Sequence, residues 1–372
     1  MTSPTSQMTN PSAVLYAAGD LRFEDRPAPS LQDPYDVLVK INFVGVCGSD
    51  VHFWTHGHIN NKRPPPTGLI MGHEASGTIL ATGSCVTRVA PGDAVAIEPG
   101  VPCRRCKSCK DGVYNLCPKM RFCASPPDAH GALTGVYVTA EDFVYKMPEA
   151  VGLQEAVLVE PLSVGVHAVR LAGVGPGECV VVMGCGTIGL MCAAVARRFG
   201  AGRVVLVDVV EGKLGFARGW IECETFRPEA GRGPEENAER LLEQLGIEGP
   251  LGLVGVDTVI EASGAASSIQ TAINVLRPGG KYVQTGLGKD KIEFPIVTMS
   301  EKELLMRGCF RYSSGDYELA VSFIAKRLID VKALITSVSP FEETAKAWDL
   351  TKNGQGIKNL IRVARLDTRS VL

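Results

Sequence analysis

Apolar positions recur with two different periods along the chain, and the change of period divides it. Over roughly the first 150 residues, short runs with β-type alternation at 36–45, 75–81, 93–98 and 142–147 are separated by turn residues, which predicts a β-rich domain with long loops and no helix–strand alternation. Past Glu160 the pattern changes. A short apolar run at 180–183 precedes a helical pattern at 188–199 and a second apolar run at 203–207 ending at Asp208. Further strands are predicted at 256–262, 281–286 and 304–310 with helical stretches between them, the alternation of a doubly wound parallel sheet. The charged, Pro/Gly-rich segment 222–252 reads as a solvated elaboration containing a surface helix at 234–245. The segments 316–327 and 358–363 read as a helix and a strand that return to the first domain.

At 372 residues the chain is long enough for two cores, and a net charge of −2 excludes the basic excess that nucleic-acid binding requires. The first sixteen residues carry no basic segment followed by an apolar core, so no secretory leader is expected there. The apolar stretch 179–195 is interrupted by Gly184, Gly186 and Gly189, which argues for strand, turn and helix and against a membrane span. Twelve cysteines, four of them clustered and others in apolar sequence, fit a reducing, cytoplasmic compartment better than a disulfide scaffold.

The clustered four are Cys103, Cys106, Cys109 and Cys117, separated by two, two and seven residues. Four thiolates at such spacing close a tetrahedral cage around one zinc ion and leave no position for substrate. Free thiols or a redox pair explain the spacing poorly, and the charge balance disfavours a nucleic-acid zinc ribbon. A looser set, Cys47, His73, Glu74 and Glu160, offers a thiolate, an imidazole and carboxylates, the donors of a zinc site that keeps one position open for chemistry. On residue types alone, the third protein ligand is either Glu74 or Glu160, with the other acting through the bound water.

The run Gly184-Cys185-Gly186-Thr187-Ile188-Gly189 follows a predicted strand and opens a predicted helix, as a dinucleotide-binding loop does. Asp208, 19 residues past Gly189, is placed to bind the adenosine ribose. Its charge and the absence of a cation at Val209 and Val210 favour NAD over NADP. The expected cofactor contacts are Gly184, Gly186, Thr187, Ile188, Gly189, Asp208 and Gly286.

The strings GVCGSDVHFW, GHEASG, the cysteine lobe, VEPLSVGVHA, GCGTIG and GCFRYSSGDYELAV occur in an order that resembles the zinc-containing medium-chain polyol dehydrogenases, over nearly the whole chain. AIEPGVPCRRC, YNLCPKM, TAEDFVYKMPE, VLRPGGKYVQTG and SSGDYELAV are most similar to fungal xylitol dehydrogenases. The resemblance implies a GroES-like catalytic domain of residues 1–165 and 309–372 and a Rossmann domain of residues 166–308. It implies two zinc ions per chain, one held by the four cysteines and one by Cys47, His73 and Glu74 plus water, with Glu160 beside that water. It further implies a proton path from the substrate hydroxyl through Ser49 towards His52, a polyol site lined by Phe53, Phe122, Ser125, Arg311 and Tyr312, and a homo-oligomer, by family habit a tetramer.

The implied reaction is oxidation of a secondary hydroxyl of an open-chain polyol to a ketose, with hydride passing to nicotinamide. Xylitol is the expected substrate, with sorbitol, L-arabinitol or another secondary alcohol as alternatives. Three features differ from the usual pattern: Phe53 stands where Tyr is common, the loop 57–68 is long and proline-rich, and Gly135 lies where a basic residue is usual.

Overall fold

The computed structural model describes residues 9–127, 129–247 and 255–363. The first eight residues, the end of the expected solvated segment from position 248, and positions 364–372 lie outside the described residues. The chain divides into two compact units, one made of residues up to Glu160 with those from Ser313 onward, the other of Pro161–Tyr312.

The first unit is built around the strand Asp36–Gly45, whose Val37, Val39 and Ile41 alternate into the core. One edge pairs antiparallel with Glu74–Thr82. The other carries Val136–Ala140 against residues 36–40 and the late strand Lys358–Arg362 against residues 43–45. Ala94–Ile97, Val144–Lys146 and Ile335–Pro340 complete this sheet. A hairpin of Thr9–Ala17 and Asp20–Pro27, with Leu69–Ile70, forms a second, smaller one.

The β-rich first domain also contains a helix that the sequence pattern does not predict, Gly48–His56. Its nine residues bury only Asp50 and Phe53 and therefore show no apolar stripe for a periodicity argument to find. Tertiary packing holds it: the Trp54 ring lies tilted against Trp348 of the helix Thr344–Lys352, 5.6 Å between centres, and donates its indole N–H to Asp349.

The second unit is a six-stranded parallel sheet in the spatial order Glu224–Phe226, Arg203–Val207, Cys179–Met183, Val256–Glu261, Leu276–Gln284, Leu305–Gly308. This is the 3-2-1-4-5-6 order of the Rossmann fold, with its switch point between the first and fourth strands. Val180 to Met183 and Val204 to Val207 are all buried, because helices cover both faces of such a sheet.

The helix Pro234–Leu245 has the expected bounds, but it is more than a solvated elaboration. Ala238, Leu241 and Leu245 enter the core of this unit alongside Ile269, Ala272 and Ile273 of the helix Ala266–Val275. Among the described residues, no helix is long and apolar enough to cross a membrane.

Candidate active site

Strand register builds the first cluster. Gly45 lies opposite Glu74, so the end of one strand and the start of its neighbour bring Cys47, His73 and Glu74 together. One ligand atom from each lies within 4.8 Å of the others. Cys47 is the N-cap of the helix Gly48–His56, while His73 and Glu74 are buried. Gly45 has to be glycine, since a Cβ there would stand 2.1 Å from a Glu74 carboxylate oxygen.

Asp50 and Lys358, which the sequence reading did not single out, surround this cluster. Asp50 accepts the Cys47 N–H at 3.0 Å and sets its other oxygen 3.6 Å from His73 Nδ1. That leaves Nε2 to coordinate, the carboxylate–histidine arrangement that orients metal-bound imidazoles. Lys358 Nζ reaches both Glu74 oxygens, at 2.7 and 2.9 Å, and the Val46 carbonyl at 3.0 Å.

Burial opposes charge on His73, yet Asp50, Cys47 and Glu160 outweigh it and hold the imidazole well above its ordinary pKa. A pocket that favours a cation, lined by thiol, imidazole and carboxylate, fits a divalent metal. Glu160, at the start of the helix Val159–Ala172, is buried and contributes to this field.

The second cluster is the cysteine lobe, closed at its base where Gly100–Val101 pairs with Arg121–Phe122. The four Sγ atoms of Cys103, Cys106, Cys109 and Cys117 converge, with separations of 3.4 Å between Cys106 and Cys109 and 3.9 Å between Cys103 and Cys109. Bonds of about 2.3 Å in a tetrahedron place sulfurs about 3.8 Å apart, so the cage has the dimensions of a zinc–thiolate site. The Cys106 N–H points at Cys103 Sγ, and the Cys103 N–H at Cys117 Sγ. Backbone N–H donors bring the Cys103 thiol down to about 6, while burial pushes Cys109 up to about 12. All twelve cysteines are thiols.

Glu98 fastens the lobe to the sheet. Its buried carboxyl accepts the Tyr114 hydroxyl at 2.5 Å and the Tyr145 hydroxyl at 2.8 Å. Burial raises its pKa to about 7, against the lowering effect of the two phenols.

In the second unit the glycine loop follows the strand Cys179–Met183, at the switch point. Gly184 takes φ +100°, and a Cβ on Gly189 would stand 1.8 Å from the Gly184 carbonyl oxygen. A Cβ on Gly186 would meet nothing within 4 Å, which is the open approach a pyrophosphate needs over the N-terminus of the helix Thr187–Arg198. Thr187 and Ile188 form its first, partly exposed turn.

The Asp208 carboxylate accepts the N–H groups of Cys185 at 2.7 Å and Val210 at 2.9 Å, tying the acid to the glycine loop. Gly286 lies two residues beyond the strand Leu276–Gln284 and donates its N–H to the Glu261 carbonyl. The buried Glu261 side chain, also missed in the sequence, accepts from Ser263, Gly264, Ser268 and Gln284, and so sets the loops around Gly286.

Ser49 and His52 lie three residues apart on the helix Gly48–His56 and share a face. The Phe122 ring centre is 5.8 Å from that of His73, and Ser125 accepts a long contact from Lys62 at 3.4 Å. Phe53 is packed in the hydrophobic core of the first unit. Arg311 and Tyr312 lie beyond the strand Leu305–Gly308: Arg311 has φ +58° and covers the Phe310 ring, and Tyr312 is buried.

Residues 33–149 match the alcohol dehydrogenase GroES-like domain and residues 187–326 the zinc-binding dehydrogenase domain. The chain is 50% identical to D-xylulose reductase A of Aspergillus oryzae over 97% of its own length and 99% of the relative's. The chain belongs to the zinc-binding dehydrogenase family. Among solved structures, this dehydrogenase superposes on an Escherichia coli oxidoreductase/dehydrogenase of unknown specificity with a TM-score of 0.87 at 31% identity, covering 96% of this chain and 100% of the other. It superposes on the L-idonate 5-dehydrogenase of E. coli with a TM-score of 0.85 at 26% identity, covering 95% and 98%. The dehydrogenase is thus a zinc- and nicotinamide-linked oxidoreductase acting on a CH–OH group.

Proposed function

We propose that this dehydrogenase oxidises a secondary hydroxyl of an open-chain sugar alcohol with NAD, converting xylitol to D-xylulose. The observation that carries the reading is the Cys47–His73–Glu74 cluster, with its mixed donors and its preference for a cation, in a chain half identical to a D-xylulose reductase over nearly its full length. When bound, the zinc supplies Lewis acidity and the nicotinamide accepts hydride.

The chain's own residues do the rest. Cys47, His73 and Glu74 hold the metal, Asp50 fixes the imidazole, and Glu160 adds negative charge beside it. Ser49 takes the proton from the reacting hydroxyl and passes it towards His52. Phe122 walls the site on the side of His73, and Ser125, Arg311 and Tyr312 supply hydrogen-bonding groups for the remaining hydroxyls. Glycines 184, 186 and 189 admit the pyrophosphate, and Asp208 holds the adenosine ribose, which favours NAD. Cys103, Cys106, Cys109 and Cys117 would hold a second zinc, which would maintain the shape of the lobe.

The thiol state of all cysteines supports a cytoplasmic enzyme. Exposed Leu305 on the outermost strand of the second unit, with exposed Ile296 and Val297 on the helix Ile296–Glu301, supports association of copies, by family habit into a tetramer.

Initial rates with NAD on xylitol, sorbitol and L-arabinitol, measured beside the Cys47→Ser variant, test the reading. Xylitol should be oxidised fastest, and Cys47→Ser should lose turnover while keeping its fold by circular dichroism. Turnover of a hydrophobic secondary alcohol and of none of the polyols would overturn the substrate class.

A further inference from the structure

Three of the chain's six histidines lie within seven residues, on the helix Gly48–His56 and the turn after it. His52 and His56 are exposed, one helical turn apart, with ring centres separated by 4.6 Å. The ring of His58 is centred 6.4 Å from that of His52.

The hydrogen bonds of these rings fix their tautomers. His52 Nδ1 lies 2.8 Å from the His58 carbonyl oxygen, and His58 Nδ1 lies 3.1 Å from that of Asn60. A carbonyl only accepts, so each Nδ1 carries the proton and each Nε2 keeps its lone pair. A ring N–H donated to a backbone carbonyl with the other nitrogen bare is the arrangement of metal-ligating histidines.

The spacing agrees. With metal–nitrogen bonds of about 2.0–2.1 Å, a ring centre lies about 3.2 Å from the ion, and two rings in adjacent coordination positions lie from about 4.5 Å apart at a right angle to about 5.2 Å at the tetrahedral angle. The His52–His56 separation is within that range. A turn of the exposed His56 ring about its own torsions would complete a two-histidine chelate with His52, and the ring of His58 stands 6.4 Å from that of His52, outside the pair.

We propose that His52 and His56, with His58 beside them, form a surface site for a divalent transition metal that favours imidazole, Zn2+, Ni2+ or Cu2+, and that its occupation inhibits the enzyme by taking the Nε2 lone pair of His52 out of the proton path. Hard cations such as Mg2+ and Ca2+ find no oxygen cage here and do not compete. The inhibitory half rests on the relay role given to His52 in the proposed function, whereas the metal site itself does not.

The test titrates Zn2+ into enzyme already carrying its full zinc complement, with calorimetry for binding and NAD-linked xylitol oxidation for turnover. Wild type should bind one additional Zn2+ per chain and lose turnover about fivefold or more at saturation, with recovery on brief chelation and no response to Mg2+. The His56→Ala/His58→Ala variant should keep basal turnover and weaken the additional binding by about tenfold or more.

Absence of an additional ion, or binding unchanged in that variant, overturns the site and leaves the proposed function intact. Additional binding that the variant loses, but without inhibition in wild type, overturns the inhibitory half and removes His52 from the proton path.

Discussion

Lys358 and Glu74, 284 residues apart in sequence, form an ion pair at 2.7 Å in which the two side chains are 3% and 2% exposed. Burial works against the charge on Lys358, and Glu74 together with Cys47 overcomes it, so the ammonium stays above its ordinary pKa. Removing one partner of such a pair leaves the other charged and desolvated, at a cost of about 3–5 kcal/mol. Lys358→Met should therefore lower the unfolding midpoint of the catalytic unit strongly. It should also change zinc retention under dialysis against chelator, because Glu74 loses the group that holds both its oxygens. A variant with the wild-type midpoint and metal content would show that the pair is dispensable.

The cysteine lobe makes a separable prediction. Cys106→Ser removes one of four converging thiols without touching Cys47 or His73, so metal analysis should find zinc falling from two to one per chain. Dinucleotide binding, which depends on the other unit, should persist. Two zinc ions per chain in Cys106→Ser would contradict the assignment of the lobe as a metal site.

Glu98 predicts a pH dependence. Its folded pKa of about 7 lies above the ordinary glutamate value of 4.5, so the fold prefers the protonated carboxyl. That contribution is fully present below about pH 4.5 and is lost as the pH rises through about 7, to a total on the order of 3 kcal/mol. Glu98→Gln keeps an acceptor for Tyr114 and Tyr145 but cannot ionise. Relative to wild type it should gain stability between pH 5 and pH 8, read as the difference in urea midpoints. An unchanged difference across that range would remove Glu98 as the titrating group.

Asp208→Ala should weaken NAD by about tenfold, the loss expected when charge-assisted hydrogen bonds of about 1.5–3 kcal/mol are removed. NADP should be affected less, because the same substitution removes a repulsive charge. Fluorescence titration of both cofactors measures the ratio, and a wild-type preference for NADP would reverse the reading.

The sequence was most legible where local pattern and local chemistry coincide. The strand Asp36–Gly45, the strand Arg203–Val207 and the helix Pro234–Leu245 occupy their predicted spans, and the cysteine lobe converges as its spacing requires. The helix Gly48–His56 was not legible, because long-range packing of Trp54 on Trp348 holds it in place of an apolar face. Lys358 carried no local signal either: a lysine at the start of a strand is ordinarily solvated, and only the pairing of Lys358–Arg362 with Asp36–Gly45 brings it to Glu74. Asp50 was within reach, being an acid three residues after Cys47. Glu261 acts through loops whose approach depends on tertiary structure.

The strand Lys358–Arg362 lies between Asp36–Gly45 and Ile335–Pro340, inside the sheet of the first unit. During synthesis, residues 161–312 leave the ribosome as one continuous stretch and can fold before the chain is finished. The proposed zinc pocket cannot: it needs Lys358, whose strand follows the second unit in the chain. A chain cut before Lys358 would therefore keep every residue of the second unit and lose the cation that holds both oxygens of Glu74.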